Sequence, residues 1–284
     1  MAIERMTCVP KSLPRSKWVA AAEHASNINP TNRPPIERLV RVMRAYVAEP
    51  LHLAVVTKKY WGAAGVKLTV GFLDNPPTDL RKHILLHMNA WSKYANVAFT
   101  ESKTDPDVRI AREGGESGGY WSYVGTDIHQ IGSGRPTMNL EAFTMKTPES
   151  EFIRVVRHET GHTLGFPHEH MRKELVAKID RDKAIKYFMA TQGWSKAEVI
   201  AQVLTPISAG SLWGTAHTDD RSIMCYQIPG TLTKDGKPIL GGTDIDRQDA
   251  EFIAMVYPKK TTLTRPPKPT VRRLGKRRSA ARRK

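Results

Sequence analysis

The sequence H-E-T-G-H-T-L-G-F-P-H runs from His158 to His168, and its histidine spacing constrains the fold more than any other feature of the chain. His158 and His162 are four residues apart, so on a helix their rings project from one face and can hold one metal ion. Glu159 lies a step further round the same helix. It is close enough to take a proton from a water without acting as a ligand itself.

Gly165 is the position where this helix is expected to end, because a residue without Cβ takes the left-handed turn at little cost. The turn sends the chain back so that His168 can supply a third imidazole. Three neutral imidazoles and a water form a tetrahedral site with one open position, which is the catalytic type of zinc site. The alternatives are ordinary surface histidines or a degenerate site that no longer binds metal.

Three segments of the chain resemble the metzincin zinc endopeptidases. The histidine motif, followed by Phe166 and Glu169, is similar to that of the astacin-type subgroup. The segment 219–226 contains S-x-M-x-Y, which resembles the family's Met-turn. The segment 119–125 is similar to the family's G-C-W-S-x-V-G strand. Together the resemblance covers roughly residues 60–258.

This resemblance implies an α+β, metzincin-type zinc protease fold with two subdomains. It would contain a twisted, mostly parallel sheet with an antiparallel edge strand, a zinc-binding active-site helix and a smaller C-terminal subdomain. Alternating and apolar patterns predict strands at residues 66–72, 97–100, 107–111, 121–124 and 137–140. Helical patterns predict helices at residues 78–94, from Thr147-Pro148 into the histidine motif, and at residues 180–189, 195–204 and 244–257. The hydroxyls of Thr78 and Thr147 are expected to cap the first two.

The chemistry that the motif and the resemblance predict is zinc-dependent hydrolysis of peptide bonds in a protein or peptide substrate. His158, His162 and His168 would hold Zn²⁺. Glu159 would act first as a general base and then as a general acid. Tyr226 would be a movable ligand or would stabilise the oxyanion, the alternative being a tyrosine packed against the turn.

Further roles follow from the resemblance alone. Met224 would form a structural floor beneath the metal site. Glu169 has a family role in hydrogen bonding near a processed N-terminus, and the plain alternative is an anchor behind the metal ligands. Trp121, Ser122 and Tyr123 would lie along the substrate cleft on an exposed strand edge that an extended peptide can pair with.

Residues 1–58 have no counterpart in the family's catalytic domain, which is predicted at residues 59–258. They are a candidate pro-segment or a helical extension packed on the domain, with a short helix near 18–24 and an amphipathic helix at 34–47. Astacin relatives commonly block the metal with an Asp, but residues 1–58 contain no Asp. Cys8 is the soft ligand available there, so it is predicted to cap the zinc in a latent zymogen. The alternative is an exposed thiol on an unstructured N-terminal segment.

The net charge of +16 is concentrated in the C-terminal tail. Twelve Lys and Arg residues and no acidic residue lie from Lys259 onward, so residues 1–258 carry only +4. The tail, residues 259–284, is predicted to be disordered, with weak polyanion contact or a sorting signal as alternatives. A second function class is therefore polyanion or nucleic-acid binding on a vestigial metzincin scaffold. Retention of Glu159 favours an enzyme, because binding alone needs no general base.

Two cysteines, Cys8 and Cys225, exclude a disulfide framework. Tyr120 replaces the cysteine of the family's cleft strand, and Cys225 is predicted to be a small buried hydrophobe. His170 and His217 are predicted not to be metal ligands. The sequence shows no signal peptide and no membrane span, so cytoplasmic retention and signal-independent export both stay open, as does the oligomeric state.

Overall fold

A computed structural model of the chain describes residues 8, 11–33, 57–115, 118–206 and 219–259. Five strands form one sheet in the order β2-β1-β3-β5-β4. Their bounds are β1 Val66–Phe72, β2 Val97–Glu101, β3 Val108–Ala111, β4 Tyr120–Ser122 and β5 Met138–Leu140. Strands β2, β1, β3 and β5 run parallel, and β4 pairs antiparallel with β5 at one edge. The expected mostly parallel sheet with an antiparallel edge strand is therefore confirmed.

Eight α-helices accompany the sheet within the described ranges. Their bounds are α1 Trp18–Ile28, α2 Thr78–Met88, α3 Glu149–Glu151, α4 Arg157–Thr163, α5 Lys173–Val176, α6 Arg181–Gln192, α7 Lys196–Val199 and α8 Arg247–Val256. The π-helical stretch Phe152–Val156 joins α3 to α4, and we call this continuous element the histidine helix. None of the helices in these ranges combines the length and hydropathy that a membrane crossing requires.

The core consists of two clusters of buried apolar side chains. The larger one packs the sheet against α2, the histidine helix and α8, through residues such as Val70, Ile84, Val156 and Ile253. The smaller one gathers side chains that follow the histidine motif, including Phe188. Cys8 is the N-terminal member of the smaller cluster. The two clusters correspond to the expected larger and smaller subdomains, and the histidine helix lies at the boundary between them.

The sequence-based predictions were wrong at helix boundaries. Thr78 and Thr147 were expected to cap α2 and the histidine helix, but the N-cap residues are Pro77 and Pro148, and neither helix has a side-chain cap. Proline fixes the extended entry of each chain segment on its own. The predicted α2 was also too long, because residues 89–93 form a separate 3₁₀ turn.

The N-terminal helix is longer than the sequence predicted, because it runs to Ile28 where His24 was expected. Asn32 holds the end of this region by donating to the carbonyls of Ala25 and Tyr60, at 2.9 and 2.7 Å. The predicted helix at 34–47 lies outside the described residues, and so does the predicted disordered tail at 259–284 apart from Lys259.

Candidate active site

The histidine helix carries two of the three expected imidazoles on its buried face. His158 and His162 lie one turn apart in α4, with 8% and 0% of their surface exposed. Trp91 Nε1 donates to the carbonyl of Arg157 at 2.9 Å and fixes the helix against the core. At the other end, Trp61 Nε1 donates to the Thr163 carbonyl at 2.9 Å. Side chains of the core thus set the position of the helix that holds the site.

Gly165 ends the helix in the left-handed conformation, with φ of +98°, as the sequence predicted. Its N–H donates to the His162 carbonyl at 2.8 Å, and Phe166 N–H donates to Gly161 O at 3.0 Å. A side chain at this position would also approach the ring of Tyr60. The reversal places His168, which is 1% exposed, opposite the two helical histidines.

The three imidazoles converge through their Nε2 atoms. His168 Nε2 lies 3.1 Å from Nε2 of His158 and 3.0 Å from Nε2 of His162. The other ring nitrogens of the two helical histidines face backbone carbonyls, His158 Nδ1 at 2.6 Å from Ile223 O and His162 Nδ1 at 2.7 Å from Phe166 O. A carbonyl can only accept a hydrogen bond, so both Nδ1 atoms carry the proton and both Nε2 lone pairs point inward.

The cluster suits a cation. Burial lowers the pKa of His162 to about 4, so this imidazole is neutral at neutral pH and able to act as a ligand. Inward-pointing lone pairs at this separation repel one another unless a cation lies between them. Zn²⁺ binds imidazole nitrogen at about 2.0–2.1 Å, which places tetrahedral ligands about 3.3 Å apart, close to the observed separations.

Glu159 lies beside this cluster and is completely buried. Burial raises the pKa of its carboxyl to about 7, and contacts with the Cys8 thiol and the Ser122 side chain oppose the shift. Ser122 Oγ also donates to the Glu159 backbone carbonyl at 3.0 Å, which ties the edge strand to the helix. The carboxyl is thus held next to the imidazoles in a dry environment.

The segment 219–226 passes beneath the site as a tight turn. Met224 is 3% exposed, and its Sδ lies so close to Gly161 that a Cβ there would stand 2.3 Å away. The turn is held from α8, where Asp249 accepts hydrogen bonds from Ser222 Oγ at 2.6 Å and Ile223 N–H at 2.9 Å. Sequence reasoning missed both Gly161 and Asp249. A glycine inside a helix was a weak signal of close packing, and nothing local marked Asp249.

Tyr226 follows the turn and reaches the same cluster. Its ring centroid lies 4.2 Å from that of His168, and its hydroxyl donates a short hydrogen bond to the Cys8 carbonyl. Burial raises the pKa of the Tyr226 phenol, which is therefore a proton donor throughout the physiological range. The neighbouring Cys225 is 4% exposed, as expected for a small buried hydrophobe.

Cys8 arrives at the site from 150 residues before the first histidine. Its Sγ and one nitrogen of each of the three imidazoles lie within 4.8 Å of one another, so the group has the composition of a four-ligand zinc site. The residue is 7% exposed, and it lies beside Glu159 and Tyr226. The alternative of an exposed thiol on an unstructured N-terminal segment is therefore wrong.

The N-terminal segment, by which we mean Cys8 and residues 11–33, also covers the edge of the sheet. Lys11 N–H donates to the Ser122 carbonyl at 3.0 Å, and Lys11 forms a parallel bridge with Tyr123. Its Nζ lies 5.0 Å from the centre of the Trp121 ring. The strand edge that the sequence predicted as a peptide-pairing surface is paired here with the chain's own N-terminal segment.

Glu169 lies behind the third histidine. Its N–H donates to the Met224 carbonyl at 2.9 Å, and its carboxylate accepts from Asp219 N–H at 3.2 Å and pairs with Arg172. Burial raises the pKa of this carboxyl to about 7, against the opposing effect of Arg172. These contacts connect the histidine motif to the turn. The side chains of His170 and His217 lie outside the described part of the chain.

Known proteins resemble this chain in sequence and in fold. The family model described as Astacin, a family of peptidases, matches residues 56–227. The chain is 31% identical over 144 residues to zinc metalloproteinase nas-27 of Caenorhabditis elegans, a match that covers 50% of this chain and 29% of nas-27. The match therefore spans less than a third of that relative's length.

Solved structures add a comparison over more of the chain. One structure of myroilysin is 32% identical with a TM-score of 0.66, covering 72% of this chain and 97% of that one. A second, the crystal structure of myroilysin, is also 32% identical, with a TM-score of 0.54 and coverage of 71% and 86%.

Proposed function

We propose that this chain, which belongs to the astacin family of zinc metalloproteases, hydrolyses peptide bonds within protein substrates. The observation that carries the proposal is the convergence of three Nε2 atoms beside a buried carboxyl. His158, His162 and His168 are the residues that would hold zinc. Zinc bound there supplies a Lewis acid that polarises a carbonyl and makes water more acidic.

Glu159 is assigned the proton transfers. Its carboxyl is adjacent to the imidazoles, and Ser122 holds its backbone from the edge strand. In this position it can take a proton from the attacking water and return it to the leaving amine. The Tyr226 phenol is assigned to donating a hydrogen bond to the oxygen that becomes negative, as it now donates to the Cys8 carbonyl.

The substrate backbone is assigned to the edge of strand β4. Trp121 and Ser122 lie on β4 and Tyr123 follows it. The N–H and C=O groups on the open side of an edge strand can pair with an extended peptide. The N-terminal segment supports this assignment, because Lys11 already uses the Ser122 carbonyl in this way. Pairing through the backbone alone would accept many sequences.

Cys8 is assigned the role of a latency ligand. Its thiol completes a four-ligand group with the three histidines, and its carbonyl occupies the Tyr226 hydroxyl. A substrate carbonyl would need both the fourth ligand position beside the histidines and the hydrogen bond from the Tyr226 hydroxyl. A chain that retains residues 1–58 would therefore be a zymogen in which residues near Cys8 exclude substrate.

A Glu159→Gln substitution in a zinc-loaded chain that also carries Cys8→Ala tests the catalytic assignment. Removing a general base typically costs 10²–10⁴-fold in rate, so cleavage of a proteome-derived peptide library should fall by about this factor while bound zinc is unchanged. Glu151→Gln is the matched control, because Glu151 is on the same helix but away from the three metal-binding histidines. It should cleave at the parent rate.

Undiminished cleavage by the Glu159→Gln chain would contradict the assignment. A parent chain that holds zinc and binds DNA tightly, yet cleaves no peptide, would instead support the polyanion-binding alternative. Weak polyanion contact through the tail stays a prediction from the sequence, because residues 260–284 lie outside the described part of the chain.

A further inference from the structure

A second group of metal-ligating side chains lies away from the histidine triad. His83 and His87 are on α2, and Glu149 is the first residue of the histidine helix. One ligand atom from each of the three residues lies within 4.8 Å of the other two. Their spacing on α2, four residues apart, is the one that places two imidazoles on the same face of a helix.

The two imidazoles are held in place by packing. The His83 and His87 rings meet edge to face at 4.9 Å between centroids. Both contact the ring of Phe152, at 4.4 and 5.6 Å. Phe152 lies one turn after Glu149 on the histidine helix, so the same aromatic contact brings the carboxylate to the imidazoles. The donors are therefore oriented before any ligand arrives.

The hydrogen bonds of this cluster are incomplete. His83 Nε2 is 2.7 Å from Oε2 of Glu149, which is a good hydrogen bond. His87 is 2% exposed, and its Nε2 lies 3.1 Å from Oε1 of Glu149 without the alignment of a hydrogen bond. Its Nδ1 has no hydrogen-bond partner either among the groups that the structure describes. A buried polar atom without a partner is costly, and few remain in native proteins.

We propose that His83, His87 and Glu149 form a second binding site for a divalent transition metal of the zinc type. Two imidazoles and a carboxylate are a donor set that suits Zn²⁺ and its neighbours, with water completing the coordination. The side chain of Glu149 is 59% exposed. Its carboxylate can therefore move outward by the small distance needed for a metal ion to fit between it and the two imidazoles.

The bound ion would join α2 to the start of the histidine helix. These two elements are otherwise held by apolar packing and by the His83–Glu149 contact. The site is more weakly constructed than the triad, because one of its three protein ligands is exposed. We expect it to be structural and to leave the chemistry of the triad unchanged. It does not depend on the proposed protease function.

Zinc stoichiometry of the chain tests the site. After equilibration with Zn²⁺ and removal of free metal, the unmodified chain should hold two ions. The Glu149→Gln and His83→Asn chains should hold one ion, and their thermal midpoint should no longer rise with the second equivalent of Zn²⁺. Both substitutions are at partly exposed positions, which protects folding. Glu151→Gln is the matched control and should still hold two.

A chain that carries both His162→Asn and Cys8→Ala separates the two sites, because only His158 and His168 remain of the first ligand group. This chain should lose the first ion and retain the second one. Calorimetric titration with Zn²⁺ would then report the second site alone. One ion in the unmodified chain, or a second ion that persists in both Glu149→Gln and His83→Asn, would overturn the proposal. The cluster would then be a hydrogen-bonded histidine–glutamate pair.

Discussion

Gly161 is the residue on which the close fit between the histidine helix and the turn beneath it depends. A Cβ at this position would stand 2.3 Å from Met224 Sδ and 3.4 Å from the Trp91 ring. Gly161→Ala improves helix propensity by about 1 kcal/mol, but overpacking a buried contact costs about 1–3 kcal/mol. We expect a net loss of about 1 kcal/mol in the free energy of unfolding, measured by urea denaturation at fixed zinc concentration.

A double-mutant cycle with Met224→Ala isolates this contact. The Gly161→Ala substitution should be less destabilising, or stabilising, once the Met224 side chain is shortened, because the two residues touch. Gly132→Ala is the matched control, since a Cβ there meets nothing within 4 Å. If the changes in unfolding free energy of the two substitutions are additive, the Met224 side chain is not in energetic contact with position 161.

Individual site residues were predictable to the degree that their spacing is local. His158, His162 and Gly165 follow from the geometry of one helix and its end, and the structure places them as expected. Asp249 was not predictable, because its partners lie 26 and 27 residues earlier and the pairing exists only in the folded chain. Cys8 was singled out because residues 1–58 contain no Asp and its thiol is the soft ligand among them.

The connection between α8 and the turn is the element-scale contact that supports the site. Asp249 is the third residue of α8, and its carboxylate accepts from Ser222, Ile223 and the backbone N–H of Asp246. Burial raises the pKa of this carboxyl from its ordinary value of 3.8 to about 6, although these donors oppose the shift. The carboxylate is therefore held in the turn at a cost in stability near neutral pH.

The pH dependence follows from the direction of this shift. The folded chain binds the Asp249 proton more tightly than the unfolded chain, so this group favours folding at pH below about 4. The advantage is lost as the pH rises through about 6, and a shift of about two pKa units corresponds to about 3 kcal/mol. Asp249→Asn should remove this slope. The unfolding free energy of the parent minus that of the variant should fall between pH 4 and 6, and parallel curves would contradict the assignment.

Elements were predicted best where burial repeats with a regular period. The alternating residues of β1 gave both of its bounds, because one residue in two packs into the core. The starts of α2 and the histidine helix were misplaced by a single residue, since threonine and proline stand side by side and either can end the preceding loop. The π-helical stretch Phe152–Val156, which packs against α2, had no signal in the sequence.

At the scale of the whole molecule, the N-terminal segment contacts both subdomains. Cys8 packs in the smaller core cluster, Lys11 pairs with the edge of the sheet, and Asn32 is buried against Tyr60. A peptide bound along β4 as proposed would displace the first two of these contacts and leave the third in place. Under the proposed function, these N-terminal residues would cover the site and be held there by Cys8.

Cys8→Ala should release the N-terminal residues from the site in the zinc-loaded chain. Each 1.4 kcal/mol removed from the closed state increases the open population tenfold, so losing a metal ligand should raise peptide cleavage about tenfold or more. Replacing zinc by Co²⁺ gives a readout that does not depend on activity. A sulfur-to-cobalt charge-transfer absorption band should be present in the parent and absent in Cys8→Ala.

Arg15→Ala is the matched control for Cys8→Ala, because Arg15 is an exposed residue of the same segment. It should change neither cleavage nor the absorption band. Equal cleavage by the parent and Cys8→Ala chains, both with zinc bound, would reject latency through Cys8. A rise in cleavage without any change in the cobalt spectrum would mean something different. In that case the segment would block the cleft through its pairing with Ser122, and the thiol would be a packing residue rather than a ligand.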